Sequence, residues 1–241
     1  MVILSRGRSK TIKSHRLFPE FIEVVVPDDE IELYQKTIPN PLIAIPKELK
    51  GLGPVRNWCI NNFKEETVIM IDDDINLIYN IEGLHARRII DKEEALEVLI
   101  NTAIMAKDAG VGCFGYTQTD IRKYNGTAPF TLCTWVGCVI GVIGKGIQFR
   151  NDKFKVDIDF CLQNLMINRI IWCDNRYYFS QARDNNSGGN SLFRNQEEYE
   201  KSCQSLKEKW GSYINIKNDK HRSQISISLN VKRKQSLDLG V

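Results

Sequence analysis

The 241-residue sequence has no cysteine pair spaced as CxxC, no long apolar run and no strong net charge. Its seven cysteines are scattered in mostly apolar surroundings. This is typical of buried thiols in a reducing compartment and argues against a disulfide scaffold or structural zinc. The longest apolar run, residues 136–144, is too short and glycine-rich to span a bilayer. Because a strand pattern begins at once, we expect no signal peptide, no membrane association and a cytoplasmic location.

The formal net charge of +3 does not by itself indicate a nucleic-acid-binding protein. Basic residues gather near both ends, where they either contact phosphates or are simply solvated. The two groups are Arg6, Arg8, Lys10, Lys13 and Arg16, and then Lys217, Lys220, Arg222, Lys232, Arg233 and Lys234.

Strand and helix patterns alternate in the first half of the chain. Continuous apolar runs bounded by polar turns predict strands that are buried on both faces. Two apolar stripes at helical spacing predict helices, the second beginning with a capping box of Asp91 and Glu94. The alternation predicts an α/β fold with a Rossmann-like, mostly parallel sheet flanked by helices. The predicted strands are residues 2–4, 22–26, 42–45 and 68–71, and the helices are 54–63 and 91–108.

The second half of the chain shows a less regular order of strand and helix patterns, which predicts a small mixed sheet on the acceptor side. Residues 184–191 contain no apolar side chain and are predicted to form a loop. The remaining predicted elements are one or two strands in 131–142, a helix over 157–169, a hairpin formed by 170–173 and 177–180, a helix over 197–210 and an edge strand over 224–229.

Three adjacent carboxylates, Asp72, Asp73 and Asp74, directly follow the fourth predicted strand. Ligands of open parallel sheets gather at this end of the strands. Adjacent carboxylates repel each other unless a cation compensates, and oxygen ligands suit Mg²⁺ or Mn²⁺. Such an ion would bridge a diphosphate and neutralise charge on a leaving group. The alternative is a solvated acidic turn.

Other polar residues fall at the same end of the predicted sheet. Arg56 and Asn57 lie on the helix before the acidic strand, where they either reach a phosphate or sugar or form surface contacts. The glycines of the 184–191 loop offer backbone N–H groups to a diphosphate, unless the segment is an ordinary surface loop. The remaining candidates for nucleotide contact are Ser5, Arg6, Gly7, Arg8, Pro27, Asp28, Gly188 and Gly189.

Asp157 and Asp159 begin a later predicted helix. A carboxylate at this position either stabilises the helix N-terminus or acts as general base toward an acceptor hydroxyl. The three histidines are too far apart in the sequence to indicate a shared metal site.

The order of these features resembles the GT-A glycosyltransferases, and most closely the TET-associated glycosyltransferase group of phages and some eukaryotic proteins. The resemblance rests on the segments ILSRGR, VPDDE, GLGPVRNW, DDDI, WVGC and DIDF and on a basic C-terminal strand, over roughly residues 2–235. It implies one GT-A domain over residues 1–235, with a nucleotide-binding half at 1–78, an acceptor-side half at 79–235 and a disordered tail at 236–241.

The resemblance also implies a mechanism. The donor would be a UDP-sugar, either UDP-glucose or UDP-GlcNAc, with Mn²⁺ or Mg²⁺ near Asp72 and ligated by Asp74, and with Asp73 against the ribose or sugar. Asp157 or Asp159 would deprotonate the acceptor in an inverting displacement. Phage members imply 5-hydroxymethylpyrimidine in DNA as acceptor, in the host cytoplasm if the protein is phage-encoded. Two departures are that Val156-Asp157 replaces the family's ED pair and that the segment QARDNNSGG lacks the late histidine ligand.

A GT-A enzyme that acts on a protein or another small acceptor is an alternative to the DNA acceptor, and two other functions fit part of the pattern. A nucleotidyltransferase shares the sheet and the acidic metal site, but SRGRSK is a poor version of its glycine-rich opening. A non-catalytic DNA-binding module is disfavoured by the intact DDD and DID sequences. If DNA is the acceptor, the aromatic and basic residues of the 116–127 segment are predicted to hold it: Tyr116, Arg122, Lys123 and Tyr124.

Overall fold

The computed structural model describes residues 1–117, 128–150, 155–181, 196–219 and 224–231. Within these residues the chain forms one ten-stranded sheet, a two-stranded sheet and helices on both faces of the large sheet. The large sheet contains β1 (Val2–Leu4), β2 (Glu23–Pro27), β3 (Leu42–Ile45), β4 (Thr67–Asp72), β5 (Ile75–Glu82), β6 (His85–Ile89), β7 (Cys113–Thr117), β8 (Phe130–Thr131), β9 (Val139–Ile143) and β10 (Trp172–Gln181).

The helices are α1 (Ile31–Gln35), α2 (Leu52–Asn62), α3 (Lys92–Asp108), α4 (Val156–Asn168) and α5 (Gln196–Trp210). Short 3₁₀ turns cover Ser14–Arg16, Asp28–Glu30 and Gly211–Tyr213. The small sheet is an antiparallel pair, β11 (Ile214–Asp219) and β12 (Gln224–Leu229).

The strand order of the large sheet is β3-β2-β1-β4-β9-β7-β10-β5-β6, with β8 paired to β10. The first four strands are mutually parallel, as the sequence predicts. Only β5, β8 and β9, among the strands described, run against the others. Because β1, β2, β4, β7 and β10 all point the same way, their carboxyl ends share one edge of the sheet.

Apolar side chains alternate between two cores, one on each face of this sheet. On one face, α3 packs through Leu99 against residues such as Ile3 and Phe114. On the other, α2 and α4 pack against Val2 and Met70. A third, smaller cluster joins the outer face of α4 to the C-terminal unit, which consists of α5, β11 and β12. This cluster contains Ile158, Leu162, Leu206 and Ile214.

The predicted hairpin in residues 170–180 is wrong, because β10 is one ten-residue strand. Its first part pairs with β7 and β8, its second part pairs with β5, and its register shifts between Asp174 and Tyr178. The polar residues at this irregularity resemble a turn in the sequence. The β5–β6 hairpin was not predicted, since the buried residues of β5 recur at every third position, Ile75, Ile78 and Ile81, instead of alternating.

The helices also differ in detail from expectation. Asp91 caps α3 by accepting from the Glu93 N–H at 3.0 Å. Glu94 does not complete a capping box, because its carboxylate pairs with Arg87. Three apolar residues of α3 and α4, Ile100, Ile104 and Met166, are exposed although they lie at helical spacing with buried neighbours.

None of the seven cysteines, all of which lie in described segments, is in a disulfide. Among the helices described, none combines the length and apolar character that a membrane span requires.

Candidate active site

Polar side chains from four elements meet at the carboxyl edge of the large sheet. Ser5 follows β1, the three aspartates end or follow β4, and Gln181 ends β10. Arg56 reaches this point from α2. The arrangement follows from the parallel order of the strands, which brings their polar ends together.

Asp73 is buried and connects the acidic turn to the loop after β1. Its carboxylate accepts hydrogen bonds from Ser5 Oγ at 2.6 Å and from the Arg8 guanidinium. Its backbone carbonyl accepts from the N–H of Lys13 at 2.9 Å. Burial raises the pKa of the Asp73 carboxyl, although the nearby Arg8 charge lowers it. These contacts make Asp73 a brace between two loops.

Tyr34 and Ser14 also stabilise the acidic turn and the loop after β1 through hydrogen bonds. The Tyr34 hydroxyl lies 2.6 Å from Ser5 Oγ and accepts from the Arg8 N–H at 3.1 Å. Burial raises the pKa of this phenol to about 12. Ser14 Oγ donates to the Asp72 carbonyl and accepts from the Ile75 N–H at 3.0 Å. The backbone of the acidic turn is therefore held on both sides of Asp73.

Asp72 and Asp74 point differently from Asp73. Asp72 Oδ2 accepts from Gln181 Nε2 at 3.2 Å, and Asp74 Oδ1 accepts from the same nitrogen at 3.1 Å. The other oxygens of the two carboxylates face arginines: Asp72 Oδ1 lies 3.2 Å from Arg56 Nη2, and Asp74 Oδ2 lies 3.7 Å from Arg8 Nη1. Two oxygens thus converge on a point that an uncharged amide occupies.

Asp72 is electrostatically undercompensated in this arrangement. Burial raises the pKa of its carboxyl to about 7, the positive charge of Arg56 lowers it, and the charges of Asp74, Asp73 and Asp157 raise it further. Within the described residues, no group of three or more His, Cys, Asp or Glu side chains is arranged to hold a metal. Two carboxylates converge here, and the third is turned to other partners.

Arg56 is 1% exposed, so the alternative of a surface salt bridge is wrong. Its Nη2 donates to Asp72 and, at 3.1 Å, to the Gly137 carbonyl. The guanidinium carbon lies 5.3 Å from the centre of the Phe149 ring. Nε and Nη1 are buried, and neither has a hydrogen-bond acceptor among the described residues. A buried donor without an acceptor costs free energy, so this position favours an anionic ligand.

Asp157 and Asp159 have different surroundings although both lie in the first turn of α4. Asp159 is fully buried and accepts from Trp210 Nε1 at 2.8 Å and from Gln163 Nε2 at 3.0 Å. Arg150 and Lys209 lie within 3.2 and 3.6 Å of its Oδ1. Asp157 is partly exposed, and its charge acts on Asp72. The contacts therefore make Asp159 part of the packing between α4 and α5, whereas the charge of Asp157 is close enough to raise the pKa of Asp72.

Several other predicted contact residues have protein partners. Arg6 donates to the carbonyls of Lys47 and Leu49 at 3.2 and 2.7 Å, which holds the segment after β3. The Gly7 N–H donates to Glu30 at 2.6 Å. Asn57 exchanges two hydrogen bonds of 2.7 Å with the Phe149 backbone, so it fixes α2 to the segment before α4 and does not reach the acidic turn.

The second strand contributes Pro27, which is buried, and Asp28, which is exposed at the shared edge. Tyr116 is also buried and donates to the Val98 carbonyl, so its predicted stacking role is wrong. The other residues of that predicted DNA contact, and the two loop glycines, lie outside the described residues: Arg122, Lys123, Tyr124, Gly188 and Gly189.

Three residues of the site were not identified from the sequence: Ser14, Tyr34 and Gln181. Ser14 and Tyr34 lie far from the acidic triplet in the sequence and join it only through tertiary contacts. Gln181 could have been identified from the sequence, since it is a polar residue at the end of a strand. The mistaken hairpin obscured that signal by ending the strand at residue 180.

Two solved structures share the fold of this chain. One is residues 1–349 of TarS from S. aureus in complex with UDP-GlcNAc, with a TM-score of 0.50 and 16% identity over 85% of this chain. This chain spans only 64% of that fragment. The other is glucosyl-3-phosphoglycerate synthase from Mycobacterium tuberculosis in complex with Mn²⁺, UDP and phosphoglyceric acid, with a TM-score of 0.50 and 10% identity over 95% of this chain and 84% of that one.

At these identities the likeness shows the fold, which is the GT-A fold predicted from the sequence. A search of curated proteins finds no match. The model of the TET-associated glycosyltransferase family matches residues 1–190, which is most of the chain. The chain therefore belongs to the TET-associated glycosyltransferase family.

Proposed function

We propose that this glycosyltransferase transfers a sugar from a UDP-sugar to a hydroxyl group with the help of a divalent cation and with inversion at the anomeric carbon. The observation that supports the proposal is that acidic and basic side chains lie next to each other at the carboxyl edge of the sheet. Two carboxylate oxygens converge there beside a buried arginine that has donors to spare. A cation and a diphosphate together complement both groups.

The chemistry of the donor set fits Mn²⁺ or Mg²⁺. Asp72 and Asp74 offer two convergent oxygens, and such ions are often bound by one or two carboxylates together with substrate phosphates and water. When bound, the cation would neutralise charge on the leaving diphosphate. The complexes of the two structural relatives contain UDP-GlcNAc in one case and UDP with Mn²⁺ in the other, which supports the same donor class here.

The residues around this pair serve the nucleotide. In this proposal Ser5 and Arg8, which follow β1, and Pro27 and Asp28, at the end of β2, contact the nucleotide. Asp73 acts through its brace to Ser5 and Arg8, and its engaged carboxylate disfavours the direct contact with ribose that the resemblance implied. Arg56 would donate its remaining N–H groups to the diphosphate.

Asp157 is the proposed general base. The acceptor oxygen attacks the anomeric carbon, the bond from that carbon to the UDP oxygen breaks, and the acceptor proton passes to the Asp157 carboxylate. UDP leaves with the electron pair of the broken bond. Asp159 is unsuited to this role, because its oxygens are buried and already bonded to Trp210, Gln163 and Arg150.

We further propose DNA bearing 5-hydroxymethylpyrimidine as the acceptor, by membership of the family, and a cytoplasmic setting. The proposed donor half comprises residues 1–78, and its boundary with the acceptor half falls inside β5 of the continuous sheet. The acceptor half follows it to about residue 235.

The proposed function is tested by incubating the protein with labelled UDP-glucose or UDP-GlcNAc and DNA containing 5-hydroxymethylcytosine or 5-hydroxymethyluracil. We expect label in the modified DNA and none in unmodified DNA. Labelling of protein alone would reject the DNA acceptor but not the transferase. A nucleotidyltransferase would release no UDP from the donor, and a non-catalytic module would not turn it over.

A further inference from the structure

Gln181 bridges the two carboxylates that face each other across the acidic turn. Its Nε2 lies 3.2 Å from Asp72 Oδ2 and 3.1 Å from Asp74 Oδ1. An amide nitrogen carries two hydrogens, so it can donate one to each oxygen. Gln181 therefore stands at the point where these two negative oxygens meet.

At this point the carboxylates have the least compensation by positive charge. Each carboxylate has one oxygen toward a guanidinium, Arg56 for Asp72 and Arg8 for Asp74. Within the described residues, the two inner oxygens both face the neutral amide of Gln181. Two carboxylates that share one site repel each other, and an amide dipole offsets this less than a full positive charge.

The backbone of β10 directs Gln181 to this position. Ser180 pairs with Leu77, but Gln181 pairs with Ile75, so one residue of β5 is skipped between them. Such irregularities re-aim a side chain at a strand end. The ladder through Tyr178 and Phe179 holds the strand up to this point, which makes the placement of Gln181 a property of the sheet.

We propose that Gln181 is the third protein ligand of the cation in this site. Its amide nitrogen holds Asp72 and Asp74 together, and its carboxamide oxygen, Oε1, would be the atom that ligates the cation. The inference rests on the proposed metal-assisted function. A second feature of the site also indicates a charged ligand, since the buried Arg56 beside Asp72 has N–H groups for which the described part of the chain supplies no acceptor.

The test measures Mn²⁺ affinity in the presence of UDP, by electron paramagnetic resonance of free Mn²⁺, for the wild type, Gln181→Ala and Gln181→Glu. We expect Gln181→Ala to weaken Mn²⁺ binding about tenfold or more, as loss of a metal-site group does. Gln181→Glu should bind Mn²⁺ more tightly than the wild type. Without metal, Gln181→Glu should lower Tm because it adds a carboxylate to the cluster, and Mn²⁺ should raise its Tm more than it raises that of the wild type.

The matched control is Gln163→Ala, which removes a glutamine that donates to a different buried carboxylate, Asp159. Its Mn²⁺ affinity should equal that of the wild type. If Gln181→Ala binds Mn²⁺ as tightly as the wild type, or if Gln181→Glu gains nothing from Mn²⁺, the ligand role is rejected while the metal site stands. Failure of the wild type to bind Mn²⁺ with UDP would reject the metal site itself.

Discussion

Asp73 differs from its two neighbours in the direction of its carboxylate. It faces Ser5 and Arg8 and is 5% exposed, whereas Asp72 and Asp74 face Gln181. A run of identical residues in the sequence therefore contains two kinds of group. The distinction comes from the turn between β4 and β5, which directs Asp73 toward the loop after β1.

This distinction predicts different losses for conservative substitutions. Asp73→Asn should lower the free energy of unfolding by about 1–3 kcal/mol, because it removes the ionised acceptor of a buried pair of hydrogen bonds. Asp74→Asn should leave the metal-free protein as stable as the wild type and remove the gain in UDP affinity that Mn²⁺ gives. Urea unfolding and calorimetry of UDP with and without Mn²⁺ separate the two. An Asp74→Asn protein that still gains UDP affinity from Mn²⁺ would contradict the assignment.

The two acidic residues of α4, Asp157 and Asp159, are also predicted to respond differently to the same substitution. Asp157→Asn should abolish transfer and keep donor affinity, because a general base acts in the transition state. Asp159→Asn should destabilise the protein by about 1–3 kcal/mol, since it removes the charged acceptor of the hydrogen bonds from Trp210 and Gln163. Donor binding by calorimetry, single-turnover rates and urea unfolding are the measurements. If Asp159→Asn is stable but inactive while Asp157→Asn is active, the base is Asp159.

At the scale of elements, β9 supports the site from within the sheet. It pairs with β4 on one side and β7 on the other, and the carbonyl of Cys138, just before β9, accepts from the Asp72 N–H at 2.8 Å. Gly141 lies opposite Phe114 in this pairing, and a Cβ at Gly141 would come within 2.0 Å of the Phe114 ring. The ring thus occupies the space that a side chain at residue 141 would fill.

Gly141→Ala should therefore destabilise the protein by about 1–3 kcal/mol through overpacking. Combining it with Phe114→Leu, which removes the clashing ring edge, should cost less than the sum of the two single changes. The measurement is the free energy of unfolding of both single variants and the double variant. Strict additivity would show that the contact does not determine the packing of β7 against β9.

How far the sequence predicts this site can be judged element by element. The first four strands and the acidic turn are predictable, because continuous apolar runs end in polar residues and parallel order brings those ends together. The contacts of Tyr34 and Gln181 are not, since a propensity pattern carries no information on which distant polar groups will pair. Asp157 and Asp159 look alike in the sequence and are distinguished only by the packing of α5, which buries one of them.

At the scale of the whole molecule, the region that matches the family does not include every element that completes the fold. The family model ends at residue 190, but α5, β11 and β12 follow it. These elements cover the outer face of α4, where Leu206 and Ile214 pack against Ile158 and Leu162. Trp210 also donates to Asp159. The helix that carries the proposed base is therefore positioned from its outer side by the C-terminal unit.

A chain truncated after residue 195 tests this dependence. It should lose most of its stability or precipitate, because it exposes two fully buried side chains of α4, at about 1.5–3 kcal/mol each, and leaves Asp159 without Trp210 and Lys209. Truncation after residue 231 is the control, because it keeps α5, β11 and β12. The measurements are the free energy of unfolding of both truncated proteins by chemical denaturation and their affinity for UDP. A folded 1–195 protein that binds UDP and transfers sugar at the wild-type rate would show that α4 holds Asp157 in place without the C-terminal unit.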